Sequence, residues 1–120
     1  MRQPPLPVFL LAAAFAACAK EPDAVMCTME ARPALAIVVV DSVTGAGLAA
    51  TTLALAMEGT TTDTLAGQDS VVSGAFERPG SYRIELTAPG YRPWTREGVV
   101  VKKDECHVLT ERLRALMVPQ

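Results

Sequence analysis

The chain has 120 residues, a formal net charge of -2 and a pI near 5.3, and half of its residues are hydrophobic. That length holds one domain, whose thin core benefits from a covalent staple. The basic residues form no cluster, since Lys102 and Lys103 run directly into Asp104 and Glu105; this argues against a nucleic-acid partner.

At the start of the chain, Arg2 precedes an apolar run over residues 8–17. A permanent span needs about 20 apolar residues, so the run reads as the core of a cleavable export leader ending in small residues. The residues around Cys18 resemble a bacterial lipobox, with Ala16 and Ala17 before it, Ala19 after it, and Phe15 where Leu is usual. The resemblance implies a signal peptide over residues 1–17 and lipidation of Cys18, with membrane lipid as partner through that residue. Several acyl chains make such attachment stable, whereas one holds only marginally. No Asp follows Cys18, which by the same resemblance implies a periplasm-facing place on the outer membrane. Ordinary secretory cleavage after Ala16 or Ala17, and a retained apolar anchor, are the alternatives.

Residues 18–33 read as a polar tether containing Pro22, Cys27 and Pro33. With Cys18 assigned to lipid, Cys27 and Cys106 remain in a chain sent to an oxidising space, and a disulfide is the simplest pairing. Closing a loop of about 80 residues stabilises the fold by roughly 4.5 kcal/mol in the chain-entropy view. Two cysteines without C-x-x-C spacing make neither a metal site nor a redox-active dithiol.

The domain is expected over residues 34–116. Seven consecutive apolar residues, 34–40, form a strand covered on both faces. Residues 41–47 are a turn in which Asp41, Ser42 and Thr44 can accept backbone N–H groups. Residues 52–57 alternate, and Leu53, Leu55 and Met57 are assigned to the inner face. The Thr-, Asp- and Gly-rich stretch 60–73 reads as two short strands, after which Phe76 is expected to plug one end of the core. Residues 81–88 alternate strongly, with Tyr82, Ile84, Leu86 and Ala88 inward. Val99, Val100 and Val101 mark the next strand, and residues 106–110 begin the last. Beyond Thr110 a strand to about Arg114 is favoured, while Leu109, Leu113 and Leu116 also have helical spacing. The sum is an all-β fold, a small antiparallel β-sandwich of about seven strands with a disulfide. Its inner faces would hold Leu35, Ile37, Val39, Leu53, Leu55, Ile84, Leu86, Val99 and Val101.

VVVDSVTGAGLAATTLAL resembles the opening hairpin of carboxypeptidase regulatory-like domains, which share the transthyretin-like β-sandwich. Asp41, Thr44 and Gly45 supply its D-x-x-T-G turn. SGAFERPGSYRIELTAPGYRPW resembles a second motif of that family, through Gly74, Phe76, Pro79, Gly80, Tyr82, Ile84, Gly90 and Tyr91, with Ser73 where Asp is usual. The resemblance spans about residues 34–108 and implies a fold rather than an activity.

Chemistry is sparse. His107 is the sole histidine, expected on a strand at a sheet edge, and no serine lies in a G-x-S-x-G motif. Glu58, Asp63 and Asp69 match no Ca²⁺ loop. No catalytic residue, metal ligand or cofactor is therefore assigned. The candidate ligand contacts are Tyr91, Arg92, Trp94 and Arg96, an aromatic pair among arginines that suits a sugar or a peptide; alternatively, Trp94 closes one end of the core. The expected role is a structural or accessory module of the envelope, with an envelope protein, glycan or peptide as partner.

Overall fold

A computed structural model describes residues 3–5 and 26–120. The leader, Cys18 and the first part of the expected tether lie outside the residues described from Met26 onward. Seven strands follow in order: β1 (Leu35–Asp41), β2 (Leu53–Glu58), β3 (Thr61–Gln68), β4 (Val71–Gly74), β5 (Gly80–Thr87), β6 (Trp94–Val101) and β7 (Glu111–Met117). The segment after Thr110 is thus strand, beginning at Glu111, and residues 106–110 belong to the connection before it. β6 starts five residues earlier than the valine run alone marks, at Trp94.

The expected pair of packed antiparallel sheets is corrected to one continuous sheet, ordered β6-β5-β2-β3-β4-β1-β7 and curled towards closure as a barrel. β1 and β7 run parallel along their whole length, from Leu35↔Glu111 to Asp41↔Met117. The reason is the path of the chain. β6 ends beside Gly80, the connection over residues 102–110 stays at that end, and β7 therefore starts where β1 starts. The two outer strands of the sheet approach one another. Their ends are joined by a bridge between Tyr91 and Pro119, with the Arg92 N–H donating to the Val118 carbonyl at 2.8 Å.

Local chemistry explains most turns. Gly59 and Thr60 link β2 to β3, and Asp69 and Ser70 link β3 to β4, with left-handed backbone at Gly59 and Asp69 as tight hairpins require. At the end of β1, Asp41 Oδ1 accepts the N–H groups of Val43 (2.7 Å) and Thr44 (2.9 Å), and Gly45 takes the φ of +78° that closes the turn.

The core fills the barrel with Leu35, Ile37, Val39, Leu65, Val72, Tyr82, Ile84, Leu86, Val99, Val101 and Met117, all buried. β2 alternates as expected, but its faces are reversed. Ala54 and Ala56 are fully buried, while Leu53 is 52% exposed. β2 lies in the middle of the sheet, where Ala54 has Leu65 and Leu86 beside it and Ala56 has Ile84. These large neighbours, with Tyr82 close by on β5, leave room for methyl groups only. Phe76 is likewise 53% exposed, because the chain turns outward there and Ala75 takes the buried place. Tyr82 is buried, and its hydroxyl donates to the carbonyl of Arg78.

Candidate functional site

The polar chemistry gathers at the two ends of β1. At its C-terminal end, Asp41 braces its own turn through Oδ1 and accepts the Tyr91 hydroxyl on Oδ2 at 2.6 Å. The Tyr91 hydroxyl, followed by the Thr44 and Val43 N–H groups, holds the Asp41 carboxyl below its ordinary range. The same bond, with burial, pushes the Tyr91 phenol up. Tyr91, expected among the ligand contacts, thus spends its hydroxyl tying the β5–β6 turn to β1.

At the N-terminal end of β1 lies a cluster that the sequence reading did not assemble. The buried His107 places Nδ1 2.8 Å from Glu77 Oε1 and Nε2 2.9 Å from Thr28 Oγ1. Glu77 also accepts the Arg32 N–H at 2.8 Å and the Val108 N–H at 3.3 Å. The Arg32 N–H, followed by His107 and Val108, outweighs burial and lowers the Glu77 carboxyl. Glu77 adopts left-handed backbone, φ +57°, a costly conformation for a side chain of this size. Asp104 Oδ1 accepts the N–H groups of His107 and Cys106, which hold that carboxyl down as well. Instead of a strand at a sheet edge, His107 stands in the β6–β7 connection, locked from both ring nitrogens.

Where the His107 ring carries one proton, an ionised Glu77 sets it on Nδ1 and Nε2 accepts from Thr28. Hydroxyl, imidazole and carboxylate are then ordered as in a nucleophile relay. Glu77 is at the same time committed to two backbone N–H groups. Thr28 adjoins Cys27, whose disulfide with Cys106 holds their Cα atoms 5.2 Å apart. Thr28, His107, Glu77 and the disulfide therefore also fasten residues 26–33 across the barrel end, so the arrangement works as a clasp.

The disulfide expected between Cys27 and Cys106 is present, across a sequence separation of 79. It corrects the expected partnership with membrane lipid through a cysteine. The two cysteines among the described residues are bonded to each other and present no thiol to an acyl group, and Cys18 lies outside the described residues. The described part of the expected tether, residues 26–33, is fastened to the barrel by the disulfide, by Thr28 and by two bonds between Arg32 and Glu77, the Arg32 N–H donating to the Glu77 carboxylate and the Glu77 N–H to the Arg32 carbonyl.

Trp94 and Arg96 stand opposite Leu86 and Ile84, so both project from the interior side of β6, where Arg96 lies 4.8 Å over the Trp94 ring. A bulge at Glu97 and Gly98 (φ +68°) then shifts the alternation and returns Val99 to the core. The half-buried indole packs on the core, as do Tyr91 and Leu113 of β7. An inward-facing charge and a bulge are both devices that keep an edge strand from pairing indiscriminately. Arg92 is exposed in the turn before β6. Glu58 and Asp63, weighed above as cation ligands, both pair with Arg78. Among the described residues, no group of three or more His, Cys, Asp or Glu could hold a metal ion, and no helix is long and apolar enough to cross a membrane. No protein-family model matches the chain, and neither does any curated protein.

Proposed function

We propose that the protein is an exported, non-enzymatic accessory module of the cell envelope, built on the carboxypeptidase regulatory-like plan. The observation that carries this reading is the clasp at the N-terminal end of β1. There the side chains best suited to chemistry, His107, Glu77 and Thr28, join the Cys27–Cys106 disulfide in holding the fold. Such a disulfide persists in oxidising compartments, which supports export. The Asp41, Thr44 and Gly45 turn supports the family resemblance, since its hydrogen bonds are those the D-x-x-T-G spacing calls for.

Cell fractionation with thiol alkylation tests the reading. The chain is expected in the envelope fraction with Cys27 and Cys106 protected until reductant is added; a cytosolic, alkylatable pool would overturn export. A panel of ester, peptide and amide substrates is expected to show no turnover. Turnover abolished by His107→Ala in a variant that still folds would instead make the Thr28–His107–Glu77 relay catalytic.

A further inference from the structure

Ion pairing divides the basic residues of the barrel by position. Arg32, Arg78 and Arg83 each pair with a carboxylate. Among the described residues, Arg92, Arg96, Arg112 and Arg114 make no such pair, nor do Lys102 and Lys103; the four arginines belong to β6, β7 or the turn before β6, and the two lysines follow β6 in the connection to β7. β6 and β7 are also the two outer strands of the sheet, so each has one edge without a ladder partner. They are bridged only at the Tyr91–Pro119 end. An unneutralised arginine group therefore coincides with unpaired backbone N–H and C=O groups.

We propose that the seam between β6 and β7 binds an acidic peptide in extended conformation. Arg112 and Arg114 alternate with the inward-facing Ala115 and Met117 and are both exposed on the outside of β7. Residues two apart in a strand lie about 6.8 Å from each other, as do side chains at alternate positions of an extended peptide. Carboxylates at every second position thus match the two guanidinium groups, each able to form a bidentate pair. Arg92 flanks the other side of the seam from the turn before β6, while Arg96 lies on the interior side of β6 over the Trp94 ring, and the free strand edges supply main-chain hydrogen bonds to an added strand. A sugar fits less well. The Trp94 ring carries Arg96 on one face and is packed into the core, which leaves it a poor stacking platform. Glu97, the acidic residue within β6, pairs with Arg83 at 3.2 Å.

This inference rests on the accessory-module reading and names its partner chemistry. The test uses the full chain with its disulfide intact and a fluorescein-labelled peptide of alternating Glu and Val, about ten residues long, the length of a long strand. Fluorescence anisotropy is expected to show saturable binding that weakens as salt rises from about 0.05 to about 0.3 M, with no binding of the matching Lys-Val peptide. Arg112→Gln combined with Arg114→Gln is expected to lower the affinity at least roughly tenfold, while Arg83→Gln leaves it unchanged. Circular dichroism establishes that both variants fold. The proposal is overturned by the absence of saturable binding, by equal affinity in the double variant, or by capture of a sulfated glycan or anionic vesicles in preference to the peptide. Export and disulfide formation are read separately by fractionation, so failure here is distinct from failure of the accessory reading.

Discussion

The two ends of β1 are each held by a carboxylate, about 20 Å apart by strand geometry, and they differ in how those carboxylates find their partners. Asp41 takes two of its three partners from residues two and three positions on, and only Tyr91 arrives from a distance. Glu77 draws all of its side-chain bonds from far away: Arg32, His107 and Val108. The first brace exists as soon as the local turn forms. The second exists only when three separate segments have been brought together, and there the chain adds a covalent link. A disulfide is worth most where it closes a long loop, and the Cys27–Cys106 bond closes one at the end that has no local turn to rely on.

This contrast sets the order of expected effects. Replacing Cys27 and Cys106 together by Ser should cost about 2–4 kcal/mol in denaturant unfolding. It should also release residues 26–33, read as faster amide exchange there, while exchange around Asp41 changes little. If both ends loosen equally, they are not independent. Next, Glu77→Ala and Asp41→Ala should each lower the melting temperature by about 4–8 °C, the shift expected from one well-placed contact in a domain of this size. Glu77→Gly should lose less than Glu77→Ala, because glycine accepts the φ of +57° without strain.

Acid titration separates the ends further. Hydrogen bonds hold Asp41, Glu77 and Asp104 below the ordinary carboxylate range in the folded state. Unfolded carboxyls titrate near about pH 4. The stability from these bonds is therefore complete above that pH and is lost as pH falls through the lower folded values. Glu77→Gln should reduce the acid-dependent loss at one end and Tyr91→Phe should reduce it at the other, measured as melting temperature against pH. The smallest effects are those of Thr28→Val and Tyr91→Phe at neutral pH, each a single hydroxyl. A large loss from Thr28→Val would mean that the hydroxyl, rather than the disulfide beside it, holds the clasp.

How legible each feature was follows from its range. β1 and β5 could be read directly, because a continuous apolar run and a strict period of two report burial whatever the neighbours are. β2 could be read as a strand but not as to which face was inside. Leu53, Leu55 and Met57 are the larger side chains, yet the interior beside Ala54 and Ala56 is already occupied by Leu65, Ile84 and Leu86. The Glu77 cluster had one sequence signal. Pairing Cys27 with Cys106 brings their chain neighbours Thr28 and His107 close together, within reach of the hydrogen bond they make. Glu77 itself had none, being 30 residues from His107 and 45 from Arg32.

By itself the sequence determined the all-β class, most of the strand-forming segments, the Asp41 turn and the disulfide pairing. These rest on local periodicity, on turn chemistry and on the count of available cysteines. Tertiary structure decided the single curled sheet, the parallel β1–β7 pair, the reversed faces of β2 and the clasp around His107. Those depend on which surfaces meet once the chain has crossed the barrel end. It also decided the character of Trp94 and Arg96. In sequence they stand two residues apart beside Tyr91, an aromatic pair set among arginines. In the fold they stack on each other over a seam that the barrel leaves unpaired, because β6 and β7 meet through a bridge at one end and through no ladder along their length.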